Sequence, residues 1–89
     1  MVVYKVLYSK IALKDAKKLT KSNLHLKAQA LIKIIKINPY QNPPPYEKLI
    51  GNLDGATSRR INVQHRLVYQ DHQSDKVIRI LRMWSHYGD

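Results

Sequence analysis

The sequence has no cysteine, so disulfides and thiolate metal sites are excluded, and a reducing compartment fits. No apolar run approaches the ~20 residues of a membrane span. The opening MVVYKVLYSK lacks the basic start and apolar stretch of a secretion signal. Acidic residues are scarce, six in 89, and Glu47 is the sole glutamate. Carboxylates this sparse and scattered make no convincing magnesium site. CxxC, HExxH and Gly-rich phosphate-loop motifs are missing. There are no internal repeats. The absences describe a cytoplasmic protein with no membrane segment. If it is an enzyme, it is expected to work with no metal and no cofactor.

What is abundant is positive charge. Sixteen Lys and Arg against six acids give a formal net charge of +10 and a pI near 10.0. A domain this basic usually meets a polyanion. The charges are sorted along the chain. Up to Lys36 the basic residues are all lysines, and the five arginines lie between Arg59 and Arg82. Lysine acts as a point charge, whereas the arginine fork grips phosphate at two places. A hydrophobic content of 44% is enough for a folded globule, and 89 residues support one core, hence a single domain over 1–89.

Residues 2–8, VVYKVLY, read as a strand. Ser9 can cap a helix from Lys10 to Lys21, with Ala12, Ala16 and Leu19 on one face. Lys10, Lys14, Lys17 and Lys21 form a second stripe on that helix, a basic edge suited to RNA phosphates. Ser22 or Asn23 restarts the chain as a helix with Leu24, Ala28, Leu31 and Ile35 on one face. Asn38-Pro39 ends it. The segment 38–55 is a loop by composition, and Pro43, Pro44 and Pro45 favour an extended, stiff course. Residues 58–63, 66–72 and 76–84 read as strands joined by hairpin turns. The outline is β-α-α-loop-β-β-β. Its class is α+β, two N-terminal helices packed on a twisted, mainly antiparallel sheet. The other sheet face is left open and basic.

Glu47 follows the stiff PPPY on the loop. A carboxylate in so positive a field is ionised and available as a base. Arg59 and Arg60 point to opposite sides of their strand, so only one of them can share a face with a bound phosphate. Arg66 opens the next strand, where an arginine is rigidly mounted. His86 neighbours Trp84 and Tyr87. A histidine can donate a proton near neutral pH, and an aromatic can stack on an unpaired base. These parts suit RNA cleavage by its own 2′-OH. Glu47 would accept the proton, the arginines would stabilise the charged phosphorane, and His86 would protonate the leaving 5′-oxygen. A non-catalytic RNA- or ribosome-binding module would use the same charge with no need of Glu47.

Three stretches, PPPYEKLIGNLDG, SRRINVQHRLVY and the terminal HY, resemble the YoeB/Txe branch of the RelE superfamily. These are toxins of bacterial type II toxin–antitoxin modules. The resemblance implies a microbial-ribonuclease-like sheet with two N-terminal helices. It implies a ribosome-dependent, metal-independent endoribonuclease that cuts mRNA in the A site, with contacts to ribosomal RNA. Glu47 then matches the general base, Arg66 the phosphate-stabilising arginine, His86 the general acid and Tyr87 the terminal tyrosine. Arg60 is also expected at the site. A small cognate antitoxin is the implied partner, with a homodimer when free. One departure stands out. Family members often carry a lysine three residues after the glutamate. Here that position is Ile50; either the neighbouring Lys48 supplies the phosphate-binding charge from a shifted place, or the role is dispensable.

Overall fold

Ser9 sets the boundary between the first strand and the first helix. The computed structural model describes residues 3–49, 55–63 and 65–83. Strand β1 covers Lys5–Tyr8 and helix α1 covers Lys10–Thr20. The Ser9 hydroxyl accepts the Ala12 N–H at 3.0 Å, satisfying a donor that a helix start leaves free. It also donates to the Leu81 carbonyl at 3.0 Å, which fastens the helix start to the sheet. In the turn after α1, Ser22 Oγ donates to the Leu19 carbonyl (3.0 Å) and accepts the Leu24 N–H (3.2 Å). Helix α2 runs Leu24–Ile37 and stops before Pro39, with Asn38 in an extended conformation.

The strands β2 (Glu47–Lys48), β3 (Thr57–Arg60), β4 (Arg66–His72) and β5 (Val77–Arg82) complete a five-stranded sheet. Its order is β1-β5-β4-β3-β2. β1 runs parallel to β5, and the other three pairings are antiparallel. Two helices on a mainly antiparallel sheet is the expected α+β class.

Three local expectations change. Glu47 and Lys48 are not loop residues but a short edge strand paired with Ser58 and Thr57, and the Leu49 N–H extends the pairing to the Ala56 carbonyl at 2.9 Å. The strand expected over 58–63 ends at Arg60. A turn closes there: the Ile61 and Asn62 N–H groups donate to the His65 carbonyl at 2.8 and 3.2 Å, and the Asn62 side-chain oxygen takes the His65 N–H at 2.6 Å, a local bond that competes with the ladder. The prolines do not run extended either, since the Asn42–Pro43 and Pro43–Pro44 bonds are cis.

The core lies between the helices and one sheet face. Ala12, Leu19, Ala28, Leu31, Ile32 and Ile35 from the helices meet Tyr4, Leu67, Tyr69, Ile78, Ile80 and Met83. Asp15, 2% exposed, is the one acid inside α1. Its carboxylate accepts from Arg82 Nε at 3.1 Å and from the Met83 N–H at 3.0 Å, so it clamps the helix to the end of β5. Among the described residues, no helix is long and apolar enough to cross a membrane.

Candidate active site

Strand register gathers the site. Arg60 pairs directly with Arg66, and Ser58 lies between Val68 on one side and Glu47 on the other. Directly paired residues share a sheet face. Their strand neighbours Arg59, Leu67 and Tyr69 point the other way into the buried side. Glu47, Ser58, Arg60 and Arg66 therefore line one cleft, of ≈ 330 Å³, with Pro45 and Tyr46.

Within the cleft Arg66 Nη1 donates to Glu47 Oε2 at 3.4 Å. The two side chains are 26% and 60% exposed. An ion pair this long and this solvated contributes about 1 kcal/mol at most. Each partner can thus be drawn off by a better one at little cost. The arrangement offers one carboxylate oxygen as a proton acceptor beside two guanidinium groups that can hold an anion. Three of the residues singled out in the sequence, Glu47, Arg60 and Arg66, are brought together.

Arg59 is not, and this corrects its standing as a phosphate-binding candidate. It is 1% exposed, and four of its bonds are made inside the protein. Nε donates to the Tyr69 hydroxyl at 3.0 Å, Nη1 to the Pro44 carbonyl at 2.6 Å, and Nη2 to the carbonyls of Pro39 (3.1 Å) and Gln41 (2.8 Å). The Tyr69 hydroxyl in turn donates to Pro39 O at 2.6 Å. The alternation that turns Arg60 to the cleft turns Arg59 to the core. There it staples the 39–44 loop to the sheet and so positions Glu47 at the loop's end. Burial raises the Tyr69 pKa, against the opposing pull of the Arg59 hydrogen bond.

Lys48 is displaced as well. Successive strand residues face opposite ways, and its ammonium lies 4.3 Å over the Tyr40 ring and donates to the Tyr40 hydroxyl at 3.2 Å. It therefore does not stand in the cleft for the lysine that Ile50 replaces. Tyr40 donates on to Asp71 at 2.7 Å. Burial and that bond raise the Tyr40 pKa. Lys10, Lys14 and Lys17 are exposed on α1, which covers the core face, so the sheet separates them from the cleft. His86 and Tyr87, with Trp84 and Ile50, lie outside the described residues.

Ser58 and Tyr46 line the cleft without having been singled out in the sequence. Ser58 had a legible signal, because it stands two residues before Arg60 and strand alternation gives both one face. Tyr46 had none; it is 5.0 Å from the Arg59 guanidinium across its ring, a contact that only the folded loop creates.

The family model of the YoeB-like toxin of bacterial type II toxin–antitoxin systems matches residues 8–87. The chain belongs to this family. A curated relative, toxin YoeB of Synechocystis sp., is 41% identical over 73 residues, which is 82% of this chain and 76% of that protein. Among solved structures, the YoeB/ParE toxin from Agrobacterium tumefaciens is similar with a TM-score of 0.86 at 26% identity, over 93% of this chain and 99% of that one. The YoeB of a YoeB–YefM complex from Staphylococcus aureus is similar with a TM-score of 0.81 at 36% identity, over 94% and 98%. The fold is accordingly RelE-like, and the chain is a toxin of a toxin–antitoxin system.

Proposed function

We propose that this toxin is a ribosome-dependent, metal-independent endoribonuclease that cuts mRNA in the A site. The observation that carries the reading is the meeting of Glu47 and Arg66 in a cleft that Arg60 shares. Glu47 takes the proton from a ribose 2′-OH, and the freed oxygen attacks the adjacent phosphorus. Arg66 and Arg60 stabilise the charge that develops on the non-bridging oxygens. The P–O5′ bond breaks, leaving a 2′,3′-cyclic phosphate, and His86 gives its proton to the departing 5′-oxygen. Tyr87, which matches the family's terminal tyrosine, is the fourth catalytic residue of this reading. The lysine edge of α1, Lys10, Lys14 and Lys17, contacts ribosomal RNA. A cognate small antitoxin neutralises the toxin in the bacterial cytoplasm, as the YefM complex of the Staphylococcus aureus protein suggests, and the free toxin forms a homodimer.

Expression in a bacterial host tests this. Glu47→Ala, Arg66→Ala and His86→Ala should each relieve growth arrest with an unchanged circular dichroism spectrum. Messages mapped by primer extension should be cut inside translating ribosomes by the unaltered protein alone. Removing the last four residues should also abolish cleavage. Intact messages alongside full growth arrest would point to a mere binder.

A further inference from the structure

Ser58 Oγ is buried and meets no hydrogen-bonding partner among the described residues, in a residue that is 1% exposed. Buried hydroxyls without partners are uncommon in folded proteins, because each has given up water for nothing. This one lines the cleft, directly across from Glu47 on the neighbouring strand. It is two residues from Arg60, on the face where Arg60 meets Arg66. Its other neighbour across the sheet is the apolar Val68, so an alanine would pack there equally well. An unmet donor beside two cations suits an anionic oxygen.

We propose that Ser58 is a substrate-contacting residue whose hydroxyl donates to a non-bridging oxygen of the phosphodiester held by Arg60 and Arg66. This rests on the ribonuclease reading above. A hydroxyl donating to an anionic oxygen makes a charge-assisted bond. That oxygen gains charge as the 2′-oxygen attacks, so the bond strengthens toward the transition state and should act on kcat more than on KM. Without substrate the hydroxyl is a cost to the fold, and with substrate it is satisfied.

The test is Ser58→Ala, assayed by single-turnover cleavage of mRNA on programmed ribosomes and by thermal melting. Cleavage should slow by about tenfold to a hundredfold, while the melting temperature stays level or rises, since the orphaned group is gone. A sulfur in place of one non-bridging oxygen should slow the unaltered protein, and Ser58→Ala should lose that sensitivity. If the unaltered protein cuts and Ser58→Ala cuts equally fast, the serine assignment falls while the ribonuclease reading stands. A slow variant that also melts well below the parent would make Ser58 structural and overturn the proposal. If the unaltered protein leaves the message whole, the ribonuclease reading falls and takes the assignment with it.

Discussion

Replacing Arg59 with lysine separates a structural arginine from a phosphate-binding one, because the two roles tolerate lysine differently. A residue that offers only charge to a phosphate keeps much of its function as lysine. Arg59 instead serves four acceptors that lie in different directions, three carbonyls and the Tyr69 hydroxyl. Lysine carries its three donors on one atom, and one atom cannot occupy the places of Nε, Nη1 and Nη2 together, so about two of the four bonds are lost. Bonds involving a charged group contribute about 1.5–3 kcal/mol each, which puts the loss at about 3–6 kcal/mol. Domains of this size have roughly 5–15 kcal/mol in total. The lower figure lowers the melting temperature by about 12–24 °C. Urea unfolding followed by circular dichroism measures the loss, with Arg60→Lys as the exposed control, expected within about 0.5 kcal/mol of the parent. If Arg59→Lys unfolds with the parent yet binds RNA poorly, the staple argument is wrong and Arg59 belongs to the site.

Three further outcomes follow from the same contacts. Asp15→Ala should cost about 1–3 kcal/mol, because it strands the buried Met83 N–H and removes the carboxylate that Arg82 Nε contacts; an unchanged urea midpoint would refute the clamp. Glu47→Gln should abolish cleavage yet bind a non-cleavable 2′-deoxy-substituted RNA about fivefold more tightly, since it removes a negative charge worth about 1 kcal/mol of repulsion in solvent; weaker binding by fluorescence anisotropy would count against the cleft. Tyr69 has its folded pKa raised, with burial as the leading cause, so its contribution is full below the unfolded tyrosine value and is lost as pH rises through the folded one. Stability measured from about pH 8 to about pH 11 should therefore decline less steeply in Tyr69→Phe than in the parent.

The elements with strong periodicity were legible. The apolar spacing of α1 and α2, the cap at Ser9 and the stop at Pro39 all recur in the fold, and β4 spans the expected 66–72. What escaped depended on tertiary contacts. Two residues are too few to show a strand's alternation, so β2 exists only through its pairing with β3. The turn into β5 has no Asn-Gly or Asp-Gly to announce it, and Lys76 takes the left-handed conformation there, at φ 55°. The site was half legible for a related reason. Alternation showed that Arg59 and Arg60 part company, but not which one meets Glu47. That choice depends on which face the helices cover, and Tyr69 and Leu67, buried beneath α1 and α2, decide it.

The cleft gathers several costs in one place. Arg60 and Arg66 are paired directly across two strands, and like charges so placed repel. Glu47 offsets that only through a long, exposed contact of 3.4 Å. Ser58 holds a buried hydroxyl with no partner among the described residues. A structure selected for stability alone would relieve each with an ordinary substitution. In the proposed reaction a bound phosphodiester would relieve them together: its oxygens would lie between the guanidinium groups, accept from the serine and release Glu47 from Arg66. The destabilisation is kept in place by the opposite arrangement one residue away, where Arg59 uses its charge wholly inside the protein to hold the Glu47 loop against the sheet. Adjacent arginines thus do contrary work, and weakening the buried one should loosen the cleft that its exposed neighbour serves.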